Sequence, residues 1–209
     1  IGKRGHHDLF ADISPQSVEP ALLVLARETG ILIDRVRDYC RHPLQGRSLS
    51  RFFEEYSQVT DMEMQLADYA NRLAQQPMTE GQEQRLQRLR ARVREAVYAL
   101  KALKDVADDL ALLTESDDPG LQDFSEQILR ALDRLYRVPP CADLAAQHRQ
   151  AMEQLQREAY SLVADARVRG ISVLNLAREV DESGRHWLRS LAVTDDATEF
   201  GPDLRAGWS

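Results

Sequence analysis

Apolar residues along this chain recur every three or four positions, the interval that places them on one face of an α-helix. Val18, Leu22, Leu25, Leu32/Ile33, Val36 and Tyr39/Cys40 make the first such stripe. It opens at Ser14-Pro15 or Ser17 and closes at His42-Pro43, because a residue before proline is pushed out of the α region. A second helix is expected from Ser48, with Phe52, Tyr56, Val59, Leu66, Ala70 and Leu73 inward and Pro77 as its stop. A third starts at Thr79, where Gln82 three residues on completes a capping box. Its stripe is long, running through Leu86, Leu89, Val93, Ala96/Val97, Leu100, Leu103, Ala107, Leu110 and Leu113. No stretch alternates apolar and polar residues for long, and no Asn-Gly or Asp-Gly hairpin occurs, so strands are not expected.

Ser116-Asp117-Asp118-Pro119-Gly120 is the clearest turn, and it divides the chain into comparable halves. Asp117 and Asp118 read as turn formers there, since a short carboxylate can bond its own backbone. Three more helices follow, at about 121–137, 142–169 and 172–192. Phe124, Ile128, Leu132 and Leu135 face inward from the first. Leu144, His148, Met152, Leu155, Ala159, Leu162 and Ala166 do so from the second, and Gly170 suits the position just past its end. Val173, Leu176/Ala177, Val180, Gly184, Trp187 and Leu191 form the last stripe. Short loops make neighbouring helices antiparallel. The expected fold is therefore all-α, built as two three-helix-bundle repeats: residues 17–116 and residues 117–194. Residues 1–16 read as a linker or, with His6-His7, as a cloning remnant, and 195–209 as an acidic tail.

Composition narrows the classes. Of 209 residues, 43% are hydrophobic and 29% charged, enough apolar mass for a buried core. The formal net charge of -7 disfavours nucleic acid and anionic lipid as general partners. Two cysteines, Cys40 and Cys141, form neither a Cys-x-x-Cys motif nor a disulfide framework, which fits a reducing compartment. No run of apolar residues is long enough to span a membrane. The chain begins at Ile1, so it reads as a piece of a longer protein whose remainder holds the membrane anchor. Catalytic signatures are missing: there is no Gly-x-Ser-x-Gly, no phosphate-binding glycine loop, no His-Glu-x-x-His and no Glu-x-x-His. No enzyme activity is expected. Cys40 lies near Arg37 and Arg41, which could activate a thiol, but its place on the stripe marks it as structural. Arg85, Arg88, Arg90, Arg92 and Arg94 spread round the third helix and read as a solvated face.

The third helix of each half carries the most informative stretch. One is Leu103-Lys104-Asp105-Val106-Ala107-Asp108-Asp109-Leu110 and the other Val180-Asp181-Glu182-Ser183-Gly184-Arg185-His186-Trp187. Each has a small residue on the buried stripe, Ala107 or Gly184, that would let another backbone approach. Each is followed at once by polar side chains. Positions 104/108 and 181/185 lie one turn apart on one edge and can pair as Lys104–Asp108 and Asp181–Arg185.

This spacing resembles PhoU proteins, whose third helices carry an acidic-x-x-x-Asp pattern within a stretch like Leu-Glu-Arg-Ile-Gly-Asp-His. Lys104 and Asp108 fall on the two acidic positions in the first repeat, and Asp181 and Arg185 in the second, with His186 on the histidine. Pro20-Ala21-Leu22-Leu23-Val24-Leu25-Ala26-Arg27-Glu28 is similar to the segment that opens the cytoplasmic region of sodium/phosphate cotransporter family proteins, or symporters, in which a PhoU-like domain follows the membrane part. The resemblance covers about 17–192 as helix order and is specific over these short stretches. It implies a non-catalytic regulatory or accessory domain on the cytoplasmic side of the inner membrane, partnered by the membrane-embedded transporter portion. The alternative is a free-standing PhoU-like adaptor that meets a phosphate-signalling protein. A plain helical scaffold forming a homodimer is a third reading. Some family members bind iron or zinc through the acidic pairs. Here a base replaces one acid in each half, which favours salt bridges, and no cofactor is expected. Asp105, Asp108, Asp109, Asp181, Glu182 and His186 are the ligand types such a metal would use. Lys104, Asp108, Asp181 and Arg185 are the residues expected to position the two halves or meet a partner.

Overall fold

The computed structural model describes residues 17–44, 48–165 and 171–193. All the regular structure among them is helical: α1 (Val18–Arg41), α2 (Leu49–Leu73), α3 (Glu80–Lys104), α4 (Ala107–Thr114), α5 (Pro119–Leu135), α6 (Leu144–Ala164) and α7 (Val173–Ala192). No helix among the described residues is long and apolar enough to cross a membrane. The N-terminal linker, the acidic tail and the expected Gly170 helix end lie outside the described residues.

Local chemistry sets the helix ends. Thr79 caps α3 through the full reciprocal box: its hydroxyl accepts from the Gln82 backbone N–H at 3.3 Å, and the Gln82 side chain accepts from the Thr79 N–H at 3.0 Å. Ser48 caps α2 by accepting from the Arg51 N–H. Asp118 caps α5, accepting from Gly120 and Leu121 at 2.8 and 3.2 Å, with Pro119 at the first helical position. The Asp-Asp-Pro-Gly stretch is thus turn and cap chemistry.

One expectation needs correction. The long third helix is not continuous. It breaks at Asp105-Val106, where Val106 takes φ -122 and ψ 14, and α4 restarts at Ala107. The break turns α4 onto α5, α2 and α7, where Leu110 and Leu113 are fully buried. The stripe of apolar residues runs straight through the break, so periodicity alone could not show it. Among the described residues there are therefore seven helices where six were expected.

Packing is organised around α3. It lies against α1 and α2 on one side and makes the most extensive helix pairing among the described residues, with α7, on the other. Helix α6 packs between α5 and α7, and α1 also touches α5. Glu19 near the start of α1 meets Gln82 and Arg85 near the start of α3, at 3.1 and 3.2 Å, so these two helices run parallel. Arg41 at the end of α1 reaches Asp133 of α5 at 2.8 Å, and Arg137 bonds the other oxygen of that carboxylate at 2.7 Å. The Arg137 hydrogen bond, with Arg41 beside it, holds the Asp133 carboxyl below its ordinary range. The arginines of α3 are not all a solvated face: Arg92 is 4% exposed.

A chain of hydrogen bonds crosses the middle of this core. Tyr136, just past α5 and fully buried, donates to Ser183 Oγ of α7 at 2.6 Å, and Ser183 donates onward to the Ala99 carbonyl of α3 at 2.8 Å. The Cys40 thiol of α1 contacts the Tyr136 hydroxyl, and the Trp187 ring lies 4.9 Å from the Tyr136 ring. Burial pushes both the Cys40 thiol and the Tyr136 phenol well above their ordinary values, so Cys40 is an inert structural thiol. One connected group of polar atoms thus touches α1, α5, α7 and α3.

The chain makes a graded prediction. Tyr136→Phe removes the hydroxyl but leaves the Ser183–Ala99 bond in place, and should cost about 1–2 kcal/mol. Ser183→Ala removes both bonds made by the Ser183 hydroxyl, leaving the Tyr136 hydroxyl only the Cys40 thiol and the longer contact to the Ser183 carbonyl, and should cost about 2–4 kcal/mol. Urea unfolding of the two variants checks the order; equal losses would mean the chain is not coupled through Ser183.

Candidate functional site

The stretch singled out on α7 sits in the seam with α3. The two helices run antiparallel, and α7 reaches α3 through two serines one heptad apart. Ser183 bonds the Ala99 carbonyl, and Ser190 donates to the Arg92 carbonyl at 3.1 Å. Between them lies a charged contact. His186 Nδ1 is 2.7 Å from Glu95 Oε2, and Arg189 Nε donates to the same oxygen at 3.0 Å. An ionised carboxylate only accepts, so Nδ1 carries the proton and the nearby Arg189 guanidinium lies alongside the ring. The Tyr98 ring meets His186 edge-on at 5.3 Å. Burial raises the Glu95 pKa, but the hydrogen bonds and charges of His186 and Arg189 outweigh it, and the carboxyl sits below its ordinary value.

The other edge of α7 faces α6. Asp181 uses both carboxylate oxygens: Oδ1 lies 3.2 Å from His148 Nε2, and Oδ2 accepts from Arg185 Nη2 at 2.8 Å. The expected Asp181–Arg185 pair is present, and His148 is the satisfied groove histidine that its place on the stripe implies. The role of Gly184 differs from the one expected. What approaches it is the His148 imidazole of α6, not a backbone: a Cβ at position 184 would clash with that ring. A glycine is required here because the ring occupies the space a side chain would fill. Burial lowers the pKa of His148 more than Asp181 raises it, so the ring is held neutral below its ordinary range.

The matching stretch of the first half is arranged differently, because the helix break falls inside it. Lys104 ends α3 and Asp108 lies in α4, so they do not pair. Lys104 Nζ meets Asp105 Oδ1 at 3.3 Å, and Lys101 Nζ meets Asp105 Oδ2 at 3.0 Å. Burial raises the Asp105 pKa, but the two lysines more than offset this and hold its carboxyl low. Asp108 is exposed, Asp109 and Glu182 are half-buried, and none of the three makes an ion pair among the described residues. Ala107 is buried at the first position of α4.

The candidate ligand types are therefore dispersed. Asp181 is taken by His148 and Arg185, His186 by Glu95, and Asp105 by two lysines. Among the described residues no group of three His, Cys, Asp or Glu side chains is gathered to hold a metal ion. The arrangement is suited to fixing helices against each other through ion pairs at the rim of a seam.

Glu95, Ser183, Ser190, Tyr136 and Arg189 carry this site and were not singled out from sequence. The seven-residue spacing of Ser183 and Ser190, on a stripe that is otherwise apolar, is the signal that marks them. Glu95 offered none, since it is one acid among arginines.

Compared with protein-family models, with curated proteins and with solved structures, the chain matches none.

Two predictions test the α6–α7 edge. Gly184→Ala must displace the His148 ring and should destabilise the protein by about 1–3 kcal/mol. His148 is depressed in the folded state relative to its ordinary value of 6.5. The unfolded chain therefore binds more protons as pH falls below that value, and stability present above it is lost progressively. Urea midpoints should drop between about pH 7.5 and about pH 5.5, and His148→Gln should flatten that slope. An unchanged slope would show that His148 protonates equally in both states.

Proposed function

We propose that this chain is a non-catalytic, PhoU-like regulatory or accessory domain of a sodium-dependent phosphate transporter, positioned on the cytoplasmic side of the membrane. One observation carries the reading. The α7 stretch that resembles the PhoU pattern lies where α7 is packed on α3, the helix that ends at its counterpart, with Asp181 and Arg185 paired at the edge of that seam. Mutual packing of α1 with α2 and α3, and of α6 with α5 and α7, is the arrangement that two three-helix repeats would produce. In this reading Asp181–Arg185 and Lys104–Asp105 set the relative position of the halves, and no bond is made or broken by the domain. Salt bridges replace the metal-binding acidic pairs because each half has exchanged one acid for a base. The partner is the membrane-embedded part of the transporter, met through exposed helix faces such as that bearing Leu23 and Ile31 on α1.

Sodium-dependent uptake of radiolabelled phosphate into cells tests this. Deleting the segment that encodes the chain should change the rate or the phosphate dependence of uptake, and Arg185→Glu should reproduce part of that change. Uptake identical with and without the segment would refute the transporter reading. Stoichiometric iron or zinc in the purified protein, lost on Asp108→Ala or Asp109→Ala, would favour a metal-binding PhoU-like adaptor instead.

A further inference from the structure

The groove between α1, α2 and α3 holds polar groups that the fold leaves unsatisfied. A cavity of about 270 Å³ opens there, with apolar walls that include Leu66 of α2 and Val93 of α3. Thr29 of α1 lines it and is 0% exposed, yet its hydroxyl has no hydrogen-bond partner among the described residues. A threonine inside a helix usually bonds the carbonyl one turn back, and an unpaired buried hydroxyl is costly. Glu63 of α2 also lines the cavity, half-buried and without an ion pair among the described residues. Burial raises its pKa. Arg94 of α3 also lines the cavity, exposed and without an ion pair among the described residues. Arg90 bonds Asn71 Oδ1 at 2.7 Å, while its buried Nε has no partner among the described residues. An acid on α2, a base on α3, a buried hydroxyl and an apolar floor therefore surround one small space.

We propose that this groove binds a small zwitterion with an apolar side chain, of the size and chemistry of a branched-chain amino acid. The ammonium group meets Glu63 and the carboxylate meets Arg94. The side chain lies against Leu66 and Val93. An organic anion alone would face the Glu63 carboxylate unneutralised. An amine alone would face Arg90 and Arg94. At ~30 Å³ for each water of liquid volume, the cavity has room for roughly nine non-hydrogen atoms, which suits leucine. The site is independent of the transporter reading, because it uses neither α7 nor the seam.

Calorimetric titration of the full chain with L-leucine tests the proposal, with 3-methylbutylamine and 4-methylpentanoate as probes carrying one charge each. Leucine should bind saturably at one site, at least about tenfold more tightly than either probe, a difference of about 1.4 kcal/mol. Glu63→Gln and Arg94→Ala should each weaken leucine about tenfold or more without lowering Tm. Absence of saturable leucine binding up to about 10 mM would overturn the site. Binding unaffected by Glu63→Gln and Arg94→Ala would do the same, and single-charge probes as tight as leucine would overturn its zwitterionic character.

Discussion

The structure depends on the close, antiparallel contact of α3 with α7. Helices approach this closely only where side chains are small or where their polar atoms are answered. Ala96 and Ala99 on one side, with Ala177, Ser183 and Ser190 on the other, are all buried. The two serines turn what would be buried hydroxyls into bonds with α3 carbonyls, which also accept within their own helix. Tyr136 and Cys40 then attach α5 and α1 to the same point. Because α3 is also the centre of the α1–α2–α3 group, its placement against α7 orients every other element.

Charge is arranged around that contact and not within it. Glu95, His186 and Arg189 sit at one rim and Asp181, His148 and Arg185 at the other. Partly exposed ion pairs of this kind contribute little to stability, but Glu95–His186 and His148–Asp181 each join two helices. The first half lacks an equivalent. Its polar stretch is spent on ending one helix and starting the next, with Lys101 and Lys104 gathered on Asp105 at the α3 terminus. There they also complement the negative end of the helix dipole.

Much of the helical framework was legible in the sequence. The stripe from Val18 to Cys40 and the Thr79/Gln82 box appear where spacing and capping chemistry put them, while α5 starts at Pro119, inside the stretch read as a turn. The break at Asp105-Val106 did not, because Leu103, Ala107 and Leu110 keep helical spacing across it and only packing onto α5 reveals the turn. At the site, Asp181–Arg185 followed from i,i+4 geometry, which is local. The Glu95–His186 pair joins residues 91 positions apart, and no single-chain periodicity encodes such a meeting. Gly184 was recognisable as a point of close approach, but what approaches it depends on the position of α6.

The two serine hydroxyls one heptad apart have a mechanical consequence. Each is seated on one particular carbonyl, so sliding α7 along α3 would unseat both together before new seats came into reach a full turn away. The seam is therefore stiff to shear and comparatively compliant to opening about its length. A force or ligand acting on one group of helices would be passed to the other as a change of angle, with the axial registration of α3 and α7 preserved throughout.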